Sequence, residues 1–214
     1  MKNDSLKIQI SGVTWTITVV ATLIIIGLIG YLAKGEHKHT SKNMYVGPGE
    51  CTKCHEKQAE TWKRTSMAQT FEVLRPGQKV EEKKMVGLDP GLDYTRDEDC
   101  LPCHTTGYGL VGGFRSIEDT PEMAGVTCEA CHGPGGQYVD SVMSSKDPTF
   151  DTGGARDAGL IYPPTARVCR KCHNEDSPFI DMTYAFDYEN RVEMGTHGHF
   201  QLKYDHDHKN SAAP

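Results

Sequence analysis

Four C-x-x-C-H units, CTKCH at residues 51–55, CLPCH at 100–104, CEACH at 128–132 and CRKCH at 169–173, consume all eight cysteines of the chain. Such a pattern leaves few chemistries. Zinc is satisfied by thiolates, or thiolates with imidazoles, and makes no demand on the residue after the second cysteine, yet that residue is His55, His104, His132 and His173 in turn. Thioredoxin-like dithiols sit in a βαβ pattern that is absent here, and disulfides do not require the histidines. The spacing suits covalent haem c instead: two thiols add across the two porphyrin vinyl groups, and the adjoining imidazole becomes an axial ligand of the iron. The sequence therefore predicts four covalently attached haem c groups. Their holders are Cys51, Cys54 and His55; Cys100, Cys103 and His104; Cys128, Cys131 and His132; and Cys169, Cys172 and His173.

An uncharged run from Ile10 to Ala33 is long enough to cross a bilayer at about 1.5 Å per residue. It exceeds the apolar region of an ordinary signal peptide, and Tyr31 is too large for the first small position of a cleavage site. A retained anchor is expected. Lysines flank the run on both sides, so charge bias does not orient it. Haem c attachment does, because it takes place outside the cytoplasm. Residues 1–11 are expected in the cytoplasm, 12–33 as a transmembrane helix and 34–44 as a juxtamembrane linker. Residues 45–200 then form the haem domain, facing the periplasm or cell exterior from the inner membrane, and 201–214 form a polar tail. The net charge of −6 offers no basic excess for nucleic acid, and a partner that docks by charge is expected to be basic.

With 37% hydrophobic residues, part of them spent in that run, little remains for an ordinary core. Porphyrins are expected to take its place, with neighbours in contact, so that the domain is a chain of electron carriers. The fold class is mainly α: a multihaem cytochrome c fold with a haem-packed core and long loops, plus one N-terminal transmembrane helix. HEKQAETWKRTSMAQTF, from His55 to Phe71, reads as one amphipathic helix. GLDPGLDYT, TTGYGLVGGF and HGPGGQY read as turn-rich connectors, and DTGGARDAGLIYPPTARVC as a loop that ends in one turn of helix.

Ten histidines less the four proximal ones leave His37 and His39 in the linker, His197 and His199 in THGHF, and His206 and His208 in the tail. Of these, His197, His199 and His206 are candidate distal ligands. Met67 is a fourth candidate, since a thioether raises a haem potential relative to a second imidazole. In an unbroken helix it would lie about 18 Å from His55, so it serves another haem unless the helix breaks and folds back. The histidine supply does not guarantee four filled sites, and an open iron would bind a small nitrogen or oxygen species.

The segments YVGPGECTKCH, TW with the residues after it, DYTRDEDCLPCHTTGYGLVGGF, GVTCEACHGPGG and ARVCRKCHNEDSPF lie between roughly residues 45 and 200. They resemble the cytochrome c-554 family, tetrahaem proteins associated with hydroxylamine oxidoreductase-type electron transfer, and its multihaem relatives. The resemblance implies a mostly helical, haem-cored fold with stacked haem pairs and the role of an electron shuttle. Three departures stand out. SMA follows Trp62 where such proteins often supply a histidine, Tyr138 stands where relatives often present one after CHGPGG, and the typical member is soluble whereas this chain has an expected anchor. The leading expectation is a membrane-anchored tetrahaem cytochrome, without catalytic residues of its own. It would pass electrons between an inner-membrane donor and a periplasmic or extracellular redox partner, alone or within a respiratory or photosynthetic membrane complex. The alternatives are a quinol dehydrogenase of the NapC/NrfH type, with quinol as partner, and a small nitrogen-oxide or oxyanion reductase working at an open haem.

Overall fold

The computed structural model describes residues 21, 22, 24, 43–144, 152–179 and 186–198. It divides into two units, Met1–His39 and Thr40–Pro214. In the first, Ala21, Thr22 and Ile24 are helical and exposed. The remainder of the expected span at 12–33 lies outside the described residues, as do most of the linker and the whole tail. Among the described residues no helix is long and apolar enough to cross a membrane.

The second unit is assembled from short helices: α1 (Pro48–Thr52), α2 (Glu56–Trp62), α3 (Val80–Met85), α4 (Leu101–His104), α5 (Cys128–His132), α6 (Gly136–Ser144), α7 (Thr152–Asp157), α8 (Ala166–Cys169) and α9 (Tyr188–Gly195). Three 3-10 turns, Met67–Gln69, Glu72–Leu74 and Pro121–Met123, lie between them. The described residues form no strand, only an isolated antiparallel bridge between Thr105 and Ala124. The mainly helical class expected from the sequence is what the chain adopts. Two local readings are corrected, since α7 occupies part of a segment read as a loop and α6 starts within the HGPGGQY connector.

The single helix expected from His55 to Phe71 is also corrected: α2 stops at Trp62. Thr61 and Thr65 explain the stop. The Thr61 hydroxyl donates back to the Gln58 carbonyl (3.0 Å) and that of Thr65 to the Trp62 carbonyl (2.8 Å), a local alternative to the helical ladder that weakens its continuation. The Trp62 indole donates to the carbonyl of Val126 at 2.9 Å, pinning the end of α2 beside the third C-x-x-C-H unit. The chain then continues in 3-10 turns rather than as a straight rod.

Phe71, Leu74, Leu101, Phe114 and Met123 form the buried apolar cluster, with Tyr45, Tyr94, Tyr108 and Ile117 packed around it. Phe71 and Phe114 meet with ring centroids 5.4 Å apart and planes tilted by 53°, a geometry that aromatic quadrupoles favour. Lys83 is buried at the edge, its ammonium donating to the Arg75 carbonyl (3.0 Å) and lying 5.2 Å over the Tyr94 ring. This core sits beside the second C-x-x-C-H unit, whose Cys100 packs against it.

Polar struts connect the second and third C-x-x-C-H units. Thr106, fully buried, donates its hydroxyl to the Gly125 carbonyl and accepts from the Thr127 N–H, both at 2.8 Å, so the residues following α4 are tied to those preceding α5. The loop between them closes tightly on the N-terminal segment: a Cβ at Gly112 would fall 2.1 Å from the Tyr45 carbonyl oxygen, and Gly112 has φ +78°.

Glu129, inside α5, is only 2% exposed. Its carboxylate accepts from the N–H of Val46 (3.0 Å), Gly47 (2.8 Å) and Gly135 (2.7 Å). An ionised carboxylate with several backbone donors is well satisfied. In Glu129→Gln one of the oxygens becomes an amide that confronts these donors with N–H groups of its own. That substitution is expected to destabilise the folded chain by about 1–3 kcal/mol, and a thermal melt followed by Soret absorbance should show a lowered midpoint; an unchanged midpoint would mean that the clamp contributes nothing.

Candidate functional site

Each C-x-x-C-H unit forms one turn with repeated local geometry. His55, His104 and His173 donate their N–H to the carbonyls of Cys51, Cys100 and Cys169 at 2.9, 3.2 and 3.0 Å, and Cys128–His132 forms all of α5. Cysteines three apart in such a turn share one face. All eight are free thiols and half-buried.

The units touch one another in an order different from that of the sequence. The Cys51 thiol hydrogen-bonds to Cys128, which raises Cys51 and lowers Cys128. Cys172 hydrogen-bonds to Cys103, which raises Cys172 and brings Cys103 down to about 7. Cys131 is pushed up to about 11, first by burial and then by the neighbouring Cys169, and the charge of Cys131 is felt at Cys172 as well. The contact order is thus first, third, fourth, second. Thioether formation would abolish all of these titrations while leaving the adjacency of the units.

The histidines are held in the form that an iron needs. His104 Nδ1 lies 2.6 Å from the Thr70 carbonyl and His132 Nδ1 3.0 Å from that of Ile161. A carbonyl only accepts, so Nδ1 carries the proton and the Nε2 lone pair is left for a metal. Burial is the leading cause that lowers the pKa of His104, His132 and His173, which favours the neutral, ligating imidazole. His173 also stacks on Phe186, with centroids 4.6 Å apart.

Opposite His132 stands His197. Their ring centroids are 6.1 Å apart with planes at 26°. Metal–imidazole bonds of about 2 Å on either side of one ion place the ring centres about 6 Å apart, so the pair fits an iron between them. His197 is positioned by its own chain: its Nδ1 lies 3.0 Å from the Gly198 carbonyl, and the Gly198 N–H donates to Thr61 Oγ1 at 2.9 Å. The end of α2 therefore docks the segment that delivers the second imidazole.

His55 faces a different group. Its Nε2 lies 3.4 Å from the Tyr138 hydroxyl, and burial followed by the charges of Cys51 and Cys54 raises the Tyr138 phenol, which places it beside both thiols of the first unit. Two buried polar atoms, Thr127 Oγ1 and Gln137 Oε1, lack a protein partner. They adjoin Cys128 and Tyr138 in sequence, as expected of a protein whose polar prosthetic groups complete its interior.

Of the distal candidates, the structure brings His197 to a proximal histidine. Met67 is half-buried at the start of a 3-10 turn beyond the end of α2, where its carbonyl accepts from the Val126 N–H at 3.1 Å, beside the third C-x-x-C-H unit. His199 and His206 lie outside the described residues. The contacts of Glu129 and of Tyr138 with His55 were missed from the sequence, and for Tyr138 the available signal was its place shortly after CHGPGG.

The family described as "Cytochrome c554 and c-prime" matches residues 50–133. Cytochrome c-554 of Nitrosomonas europaea is 32% identical over 183 residues, covering 74% of this chain and 77% of that protein. The multiheme cytochrome MtrA of Shewanella baltica is 30% identical over 84 residues, 37% of this chain and 24% of that protein. The solved structure of reduced cytochrome c554 from Nitrosomonas europaea superposes with a TM-score of 0.63 over 77% of this chain and 89% of that one. Shared identity over most of both chains, with a shared fold, shows that the chain belongs to the cytochrome c554 family of multihaem electron carriers with covalently bound haem c.

Proposed function

We propose that the chain is a membrane-anchored tetrahaem cytochrome that passes electrons between an inner-membrane donor and a periplasmic or extracellular redox protein. Haem c is attached through Cys51 and Cys54, Cys100 and Cys103, Cys128 and Cys131, and Cys169 and Cys172, with His55, His104, His132 and His173 as proximal ligands. The observation that carries this reading is the neighbourhood of the units: Cys51 hydrogen-bonds to Cys128 and Cys172 to Cys103, and Cys131 lies near enough to Cys169 to feel its charge. Prosthetic groups fixed at adjoining units form a relay. The haem supplies the one-electron chemistry, while the chain sets the order, the axial ligands and the exclusion of water.

His197 serves as the distal ligand for the haem held by His132. Met67, His199 and His206 are the remaining candidates for the other irons. The uncharged run at 12–33 anchors the domain on the outer side of the inner membrane, and the net charge of −6 favours encounter with a basic partner.

Pyridine haemochrome analysis of the purified chain, set against its protein concentration, is expected to give four haems per chain; a lower ratio removes one of the attachment units from the relay. His197→Ala is expected to convert one of those haems from six-coordinate low-spin to high-spin by electron paramagnetic resonance, with the others unchanged. Unaltered low-spin signals would exclude His197 as a ligand. In liposomes containing the full chain, rapid reduction by a basic redox protein but not by a quinol analogue is expected; turnover with the quinol would instead make it a quinol dehydrogenase.

A further inference from the structure

We propose that Tyr138 is the second axial ligand of the haem held at His55, so that this iron has one imidazole and one phenolate oxygen. The inference rests on haem attachment at Cys51 and Cys54, and the structure supports it at three levels.

The first is distance. Tyr138 Oη is 3.4 Å from His55 Nε2. Two donors in line across one first-row metal ion stand about 4 Å apart at about 2 Å per bond. A hydroxyl that merely hydrogen-bonded to a water on the iron would stand farther off, by roughly a further 2.7 Å. The observed separation is near the value for direct ligation and far from that of an outer donor. In the chain alone the two atoms are within hydrogen-bonding reach; with His55 Nε2 committed to iron, a shared metal takes the place of that hydrogen bond.

The second is positioning. Tyr138 lies in the first turn of α6, and the Gly135 N–H just before α6 donates to Glu129 at 2.7 Å. The same carboxylate accepts from Val46 and Gly47, and Gly47 is the N-cap of α1, which leads into Cys51. The Gly136 N–H also donates to the Met44 carbonyl at 3.0 Å. The segments that carry His55 and Tyr138 are therefore fastened to each other through the residues that precede each of them.

The third is chemistry. A phenol is an established axial ligand of haem iron. Binding requires only that the phenol give its proton to solvent and that the oxygen donate an electron pair to the iron; no oxidant or reductant is consumed. An anionic oxygen stabilises the ferric state, so this haem becomes harder to reduce than one with two imidazoles. Tyr138 is thus a ligand by position rather than a polar side chain that happens to lie near a haem.

The test uses the full-length holoprotein, Tyr138→Phe and Tyr138→His. In the oxidised wild type, resonance Raman spectra excited in the phenolate-to-iron charge-transfer band are expected to show tyrosinate modes, which vanish in Tyr138→Phe. The lowest of the resolved reduction potentials should shift upward in both variants, and Tyr138→His should restore a six-coordinate low-spin signal. Mass spectrometry of the tryptic peptide containing Cys51 and Cys54 reports separately on attachment: a haem-free peptide in the wild type overturns the attachment reading itself. With haem present on that peptide, absence of tyrosinate modes in the wild type, or spectra and potentials unchanged by Tyr138→Phe, overturns the ligand assignment.

Discussion

Three backbone N–H groups, from Val46, Gly47 and Gly135, converge on the carboxylate of Glu129, and much of the arrangement of the first and third C-x-x-C-H units follows from that contact. A carboxylate removed from water is costly unless donors replace its hydration, and here the donors come from two chain segments that flank the attachment units. The residue is itself one of the two between Cys128 and Cys131. One position of a short motif therefore does two jobs: the backbone turn carries the thiols on one side, and the side chain ties down the approach to Cys51 and the start of α6 on the other.

The contact also explains how so small an apolar core is enough. Phe71, Leu74, Leu101, Phe114 and Met123 gather near the second C-x-x-C-H unit, which buried Thr106 ties to the third, while Glu129 ties the approach to the first unit to the third. Covalently held porphyrins fill what side chains do not. Fixing the rings through two bonds each also limits the chain entropy that weak packing alone would have to overcome. The shortness of α1, α4, α5 and α8 follows from the same arrangement, since each needs only to place its C-x-x-C-H unit.

The C-x-x-C-H units can be read from sequence because the thiols and the imidazole of each lie within five consecutive residues, and no tertiary information is needed to find them. The mainly helical class was legible for the related reason that helical turns are local too. The extent of α2 was not, because the apolar periodicity continues past Trp62 while Thr61 and Thr65 compete for its carbonyls. His197 could be named as a candidate but not assigned, since its pairing with His132 depends on a hydrogen bond between Gly198 and Thr61, 137 positions apart. Tyr138 stood out by its place after CHGPGG, but its partner His55 lies 83 positions away, which no local pattern reveals.

The order of contacts gives the ligands their meaning. Because the units adjoin as first, third, fourth and second, the His55 end is terminal in the series, while the His132 unit, with His197 across from it, is internal. Axial ligands are a principal lever on haem potential. If two imidazoles bind inside the relay and, as proposed, a phenolate oxygen binds at its His55 end, electrons would rest preferentially away from that end. A relay built from four identical ligand sets would have no such bias. On that proposal Tyr138 would give direction to a series of carriers that the C-x-x-C-H units, alike in sequence and in local fold, could not by themselves provide.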